Sequence, residues 1–274
     1  MKGGKKQGQK AEFGVFGGSG FYRLLERARE VAVRTPYGAP SAKVSISPVA
    51  GRTVAFLPRH GAHHEFPPHA VPYRANVSAF KRLGVSRVLG PNAVGSLRPE
   101  MRPGDIVICD QLVNFTTGRK DTFYDGPETT HVGFADPYCP EMRAAAVRAA
   151  RRLGLRFHET GTVVVIQGPR FSTRAESRFF GRQGWDVVNM TQFPEAVLAR
   201  EMELCYLNLS LVTDYDAGLE GDPRVKPVSH EEVIKVFAEN IGALRSLVLE
   251  VVKDLPEERG CECGRALRGA RMSA

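Results

Sequence analysis

The 274-residue sequence predicts an α/β protein: a single three-layer αβα domain built on a mixed, largely parallel sheet. Three observations carry this expectation. Short apolar, β-branched segments alternate with segments of helical period across residues 13–255, as expected of strands joined by crossover helices. Several strand candidates are apolar throughout, which suits strands covered on both faces. Polar or glycine-rich turns follow the strands at their carboxyl ends, the edge at which open α/β sheets bind ligands.

Taken in order, residues 13–16 form a short apolar strand, and 44–47 and 54–57 a pair of strands. Residues 75–83 carry helical spacing with Gly84 at the expected end. Residues 87–90 and 105–108 read as strands, 141–153 as an Ala/Arg-rich helix closed by Gly154, 162–166 as a buried β-branched strand, and 175–180 as a helix. A strand over 186–190, a helix over 194–202, a strand over 207–212 and a long helix over 231–252 complete the body. Ser229 followed by Glu232 is a capping-box pattern for the last helix. Residues 112–140, rich in Gly, Asp, Thr and Pro, are too long for an ordinary connection and read as a functional excursion.

Composition excludes several classes. A content of 42% hydrophobic and 25% charged residues is that of a folded globular chain, not a disordered one. The net charge of +8 suggests a polyanion ligand until it is located. Lys2, Lys5, Lys6 and Lys10 supply four of the positive charges, and Arg259, Arg265, Arg268 and Arg271 less Glu262 supply three more, so the body is nearly neutral. No groove pattern of aromatic and basic residues accompanies it, which argues against nucleic acid as a partner. No apolar run reaches membrane-span length and residues 1–10 lack a secretory core, so the expected location is the cytoplasm, without a membrane partner. The expected organisation is a basic flexible tail over 1–12, the domain over 13–255, and a Cys/Arg-containing tail over 256–274. Cys109, Cys139 and Cys205 lie in or beside apolar segments and read as buried thiols. Cys261 and Cys263 read as part of a frayed terminus, or as a redox or metal-binding appendage; two thiols supply only half of a closed zinc site.

Four constellations carry chemistry. Gly17-Gly18-Ser19-Gly20 follows the first strand, where glycines let backbone N–H groups approach an anion, although neither a dinucleotide fingerprint nor a triphosphate-loop lysine is present. Arg59-His60-Gly61 ends another strand; the guanidinium suits a phosphate, and a neighbouring imidazole can share the charge. The same triplet fits a histidine phosphatase with His60 as nucleophile, whereas the nearby His63, His64 and His69 lack the spacing and carboxylates of a metal site. Gly90-Pro91-Asn92-Ala93-Val94-Gly95-Ser96 offers a third close backbone approach, or is simply a crossover loop. Asn189-Met190-Thr191 and Thr213-Asp214-Tyr215-Asp216 end two further strands, and the acidic pair, if desolvated, places one carboxyl group in the range of a general acid near neutral pH.

Together with Pro58-Arg59-His60-Gly61, Ala93-Val94-Gly95-Ser96-Leu97 and the run from Gln167 to Glu176, these motifs resemble, in order and over nearly the whole body, the trimeric purine nucleoside phosphorylase family, specifically its S-methyl-5'-thioadenosine phosphorylases. The resemblance implies a phosphorylase/hydrolase-like fold and the cleavage of a purine nucleoside by inorganic phosphate, a co-substrate, with no metal and no organic cofactor. It implies that Ser19, Arg59, His60, Asn92, Ala93 and Thr191 hold phosphate, with Arg59 as the main countercharge. Met190 would lie under the ribose, Phe171 against the base, and His131 at the 5' end of a neighbouring subunit's ligand in a homotrimer. Asp214 would donate to purine N7 as the catalytic group, and Asp216 would accept from the 6-amino group, which favours adenine over hypoxanthine. Two departures stand out: Asn92 occupies a position where the family commonly has threonine, and His230 one where methylthioadenosine enzymes have an apolar residue. Ser172 and His230 are thus the positions that bear on specificity, with a 5'-hydroxyl nucleoside such as adenosine as the alternative substrate and a non-catalytic nucleoside-binding protein as the alternative class.

Overall fold

Eleven strands join one sheet in the computed structural model, which describes residues 10–18, 21, 25, 27–219 and 225–271. The strands are β1 (Phe13–Gly17), β2 (Arg29–Val31), β3 (Val44–Val49), β4 (Arg52–Pro58), β5 (Arg87–Ser96), β6 (Ile106–Val107), β7 (Gln111–Phe115), β8 (Phe157–His158), β9 (Thr162–Ile166), β10 (Val187–Asn189) and β11 (Cys205–Asp214). The helices are α1 (Tyr73–Arg82), α2 (Pro140–Arg152), α3 (Arg174–Arg182), α4 (Gln192–Glu201) and α5 (His230–Asp254). The main path runs β2-β3-β4-β1-β5-β10-β9-β7, and β11 branches from β5 to carry β6 and β8. The β4-β1-β5 run, β5-β11, β10-β9 and β9-β7 are parallel, whereas β2-β3-β4, β5-β10 and β11-β6 are antiparallel. The sheet is therefore mixed and largely parallel, as the sequence predicts.

Strand period 2 divides the core between the two faces. In β11, Cys205, Leu207, Leu209 and Leu211 pack with Ala145, Ala146, Ala149 and Ala150 of α2 and Leu244, Leu247, Val248 and Val251 of α5. Tyr206 and Val212 turn the other way, toward Val77 and Phe80 of α1 and Ala196 and Ala199 of α4. A smaller cluster seats Phe180 of α3 on Val164, Ile166 and Val188. The small alanine face of α2 brings that helix close to the sheet. α1 ends as expected, with Gly84 at φ +82, a left-handed conformation that glycine adopts without steric cost.

The structure lengthens or adds to several expected elements. Residues 90–96 are not a crossover loop; they continue β5, held by β11 in a register that sets Asn92 beside Ser210 and Gly95 beside Asp214. β2, β7 and β8 have too little apolar alternation to be seen in the sequence, and β7 turns the start of the 112–140 excursion into a strand paired with β9. Residues 256–271 do not fray. Cys263 is buried, residues Glu262–Arg265 form a short 3-10 helix, and Arg87 donates to the carbonyls of Glu257 and Glu258. At the amino end, Ala11 is already buried and donates to Leu83 O at 2.8 Å, so the ordered body begins before residue 13.

Candidate active site

A cavity of about 220 Å³ opens where β1, β4, β5, β9, β10 and β11 end or run past their carboxyl edge, and the first turn of α5 closes its far side. Arg59, His60, Asn92, Ala93, Phe171, Met190, Thr191, Asp214, Asp216 and His230 all line it. Ser172 sits next to Phe171 outside the lining, and His131 is exposed elsewhere on the surface. Ser19 lies outside the described residues. Residues spread over more than 170 positions thus converge: the turns after β1, β4, β9, β10 and β11 meet here, and Asn92, Ala93 and Gly95 join them from within β5, which runs on past the end of its pairing with β1.

The acidic end of the cavity follows from one irregularity. A register shift between Val212 and Asp214 re-aims the end of β11. Gly95 of β5 leaves room for this, since a Cβ there would stand 2.8 Å from Asp214 Oδ1 and 3.1 Å from Asp216 Cα. Thr213 Oγ1 donates to Asp214 Oδ2 at 2.7 Å, and the Asp216 N–H donates to Asp214 Oδ1 at 2.7 Å. Even so, burial of the carboxyl group dominates and pushes it up to about 7. Asp214 is consequently poised between acid and carboxylate at neutral pH. Asp216 holds a left-handed backbone, φ +47, which aspartate tolerates better than most residues. Burial raises its carboxyl group as well, against the opposing pull of the nearby Ser172 and Ser177 hydroxyls, and Asp216 Oδ2 is buried with no donor in full hydrogen-bond geometry. Ser172 Oγ is likewise buried and unpartnered.

The opposite end is built around Arg59, which is 1% exposed. Its Nε and Nη2 donate to the two oxygens of Glu195 at 2.6 and 2.9 Å, and Nη1 donates to Pro91 O at 3.2 Å. Tyr206 OH adds a 2.6 Å bond to Glu195 Oε1. Glu195 thus largely neutralises Arg59, so the guanidinium is a fixed half of an ion pair and not a free countercharge. His60 Nδ1 lies 2.8 Å from Phe66 O; a carbonyl only accepts, so in the neutral ring the proton is on Nδ1 and Nε2 is an acceptor. Burial, and then the charge of Arg59, drive this imidazole down to about 3. The expectation that His60 shares positive charge is therefore corrected: it is neutral here. Its ring stacks on that of His64, with centroids 4.6 Å apart.

Between these ends lie unpaired amides. Asn92 Oδ1 accepts from Asn208 Nδ2 at 3.2 Å and Ser210 Oγ at 3.1 Å, which orients Asn92 and leaves its buried Nδ2 without a partner. Both side-chain polar atoms of Asn189 are buried and unpartnered in the cavity wall. Buried donors and acceptors left open in this way mark positions where a ligand supplies the missing bonds.

The sequence reading missed four contributors. Glu195 lies four residues after Thr191, yet its pairing with Arg59 across 136 residues has no local signal. His64 lies in the histidine cluster near Arg59 and was set aside with the metal reading. Asn189 reads from the sequence only as the start of a polar turn. Arg119, in the 112–140 excursion, donates to Met190 O at 2.9 Å, to Gln167 O at 2.8 Å and to Phe193 O, fastening three of the site's loops together. The partners that orient Asn92 do leave a signal in the sequence: Asn208 and Ser210 alternate with leucines within an otherwise apolar strand.

Comparison with known proteins agrees with this geometry. The family model for the phosphorylase superfamily matches residues 12–253. S-methyl-5'-thioadenosine phosphorylase of Thermofilum pendens is 51% identical over 261 residues, covering 94% of this chain and 98% of the relative. Purine nucleoside phosphorylase of Streptomyces coelicolor is 53% identical over 270 residues, covering 95% of each. Among solved structures, the Schistosoma mansoni methylthioadenosine phosphorylase in complex with adenine superposes with a TM-score of 0.89 at 34% identity, covering 96% of this chain and 99% of that one. The histidine phosphatase and the non-catalytic binder are thereby set aside: the chain belongs to the phosphorylase superfamily and is an enzyme of its S-methyl-5'-thioadenosine and purine nucleoside phosphorylase branch.

Proposed function

We propose that this chain catalyses the phosphorolysis of 5'-methylthioadenosine, giving adenine and 5-methylthioribose 1-phosphate. The observation that carries this reading is the Asp214–Asp216 pair: one carboxyl group poised near pH 7 beside another whose Oδ2 lacks a donor. A purine with a 6-amino group supplies that donor, whereas a 6-oxo group sets acceptor against acceptor. The names of the Thermofilum pendens relative and of the Schistosoma mansoni structure point the same way.

In this scheme the bond between C1' of the ribose and N9 breaks with its electron pair passing to the base, and Asp214 gives its proton to N7, so that neutral adenine leaves. A phosphate oxygen forms the new bond to C1'. Asn92 Nδ2, Thr191, the backbone at Ala93 and Ser19 hold the phosphate, Arg59 and Glu195 fix its bed, and His60 Nε2 accepts from a hydroxyl of hydrogen phosphate. Such an arrangement suits a neutral imidazole better than a cationic one. Phe171 covers the base and Met190 the ribose, with Ser172 beside Asp216. The scheme uses no metal or organic cofactor, and phosphate is a co-substrate. It also takes the enzyme to be a cytoplasmic homotrimer in which His131 of one subunit reaches the 5' end of a neighbour's ligand. Among the described residues no helix is long and apolar enough to cross a membrane.

A second reading, a purine nucleoside phosphorylase for 5'-hydroxyl substrates, rests on His230, which lines the cavity with Val233 and can hydrogen-bond a hydroxyl. The Streptomyces coelicolor relative bears that name. Specificity constants for 5'-methylthioadenosine, adenosine and inosine, each with and without phosphate, separate the readings. The proposal expects methylthioadenosine to lead and inosine to trail. A lead for inosine would overturn the base assignment, and a lead for adenosine would favour the second reading.

A further inference from the structure

At the end of the sheet away from the cavity, four thiols from three parts of the chain meet. The Sγ atoms of Cys139, Cys205, Cys261 and Cys263 all lie within 4.8 Å of one another, and every cysteine in the structure is a free thiol. Cys139 caps the start of α2, with its N–H donating to Tyr206 O at 2.8 Å, and Cys205 is the first residue of β11, with its N–H donating to Ser86 O at 3.0 Å. Cys261 and Cys263 come from the docked carboxyl-terminal segment, which brings Cys261 Sγ to 3.3 Å from Cys205 Sγ. Asp214 lies nine residues further along β11, which places the cluster about 30 Å from it. These thiols take no part in the chemistry of the cavity.

We propose that these four cysteines form a closed, structural zinc site that clasps the carboxyl-terminal segment to the body. Zinc–sulfur bonds of about 2.3 Å in a tetrahedron require sulfur–sulfur edges of about 3.8 Å; the observed separations, from 3.3 Å between Cys205 and Cys261 up to no more than 4.8 Å, bracket that value, so one edge must lengthen and the longest must shorten by about 1 Å or less. The two tail thiols are half of a zinc site, and the body supplies the other half. Four thiolate ligands leave no open position, the arrangement of a structural metal and not a catalytic one. Two rigid elements fix two ligands in advance, which lowers the ordering needed on metal binding. Burial of Cys139, Cys205 and Cys263 protects such a centre from solvent.

The clasp has a structural consequence. The segment it anchors continues to Ala270 and Arg271, where the His131 N–H donates to Ala270 O at 2.8 Å and Arg271 pairs with Glu128 at 3.1 Å. Zinc therefore braces the 128–131 stretch through the tail.

Zinc content of the full-length protein, made without added metal and desalted under reducing conditions, tests the proposal. The expected result is one zinc ion per chain, released when a mercurial titrates the thiols, and replaced by Co(II) with the thiolate-to-metal charge-transfer and intense visible bands of tetrahedral sulfur coordination. The Cys261→Ser/Cys263→Ser variant should lose the metal, keep phosphorolysis at moderate temperature, and melt about 5–10 °C lower. A Cys263→His variant should still bind Co(II), with a shifted spectrum, which keeps the test open if the double variant does not fold. A metal-free wild type with four freely reacting thiols, iron in place of zinc, or a mass showing two disulfides would overturn the proposal.

Discussion

Asp214→Asn separates what the carboxyl group does for chemistry from what it does to stability. Burial lifts Asp214 from the ordinary 3.8 of an aspartate to about 7, so the folded state holds its proton more tightly than the unfolded chain does. The stabilisation this gives is fully present below the unfolded value and is lost as pH rises through the folded one. Linkage between those two values puts the loss at about 2 kcal/mol by pH 5 and about 4 kcal/mol by pH 8. An amide has no such dependence. It brings its own mismatch, because Thr213 Oγ1 and the Asp216 N–H both donate to the carboxylate, but that cost of about 1 kcal/mol is the same at both pH values. Relative to wild type, the variant should therefore gain about 2–3 kcal/mol between pH 5 and pH 8, a rise in its melting-temperature advantage of roughly 5–10 °C for a chain of this size. Thermal melts of both proteins without nucleoside, at pH 5 and pH 8, measure it, with activity assayed in parallel and expected to fall at least a hundredfold or so. An advantage that does not change with pH would mean that Asp214 is an ordinary ionised carboxylate, and the proton donor would have to be sought elsewhere.

Three further outcomes follow from the same geometry. Asp216→Asn gives the unpartnered Oδ2 position a donor, so the ratio of inosine to adenosine specificity constants should rise by about tenfold, equivalent to roughly 1.4 kcal/mol; an unchanged ratio places the 6-substituent away from Asp216. His230→Val removes a hydrogen-bond partner for a 5'-hydroxyl and adds apolar surface, so methylthioadenosine should gain on adenosine by about tenfold; equal ratios for both proteins put His230 outside the 5' pocket. Glu195→Gln leaves the charge of Arg59, 1% exposed, without its partner and should destabilise the fold by about 3–5 kcal/mol in chemical denaturation; a loss below about 1 kcal/mol would show that Arg59 finds another counterion.

The order of strands and helices was legible because its signals are local. The apolar run of β11, the Ala/Arg-rich stretch of α2 closed by Gly154 and the cap at Ser229 are each read within about fifteen residues, and Ser229 Oγ does accept from the Glu232 N–H at 3.2 Å. Most positions that line the cavity were legible for a related reason: their motifs stand at strand ends, where open α/β sheets gather ligand-binding turns, whereas Asn92 and Ala93 lie inside β5. Contacts between distant segments were not legible. The Arg59–Glu195 pair, the bonds from Arg119 to two loops and the meeting of Cys139 and Cys205 with Cys261 and Cys263 each join positions tens to more than a hundred residues apart. Short edge strands such as β2 and β7 were missed because their residues are mostly exposed or only partly buried and carry little apolar alternation. Read alone, the tail looked polar enough to fray; its order comes from a surface that only the folded body provides.

The central claim, that the acidic pair releases adenine while phosphate takes its place at C1', is tested most directly by following phosphorus and base together. A 31P spectrum recorded during turnover of 5'-methylthioadenosine with inorganic phosphate should show the phosphate signal converting to a sugar 1-phosphate, mole for mole with the adenine released, and no base released when phosphate is omitted. Adenine release that continues without phosphate, leaving free methylthioribose, would contradict the account.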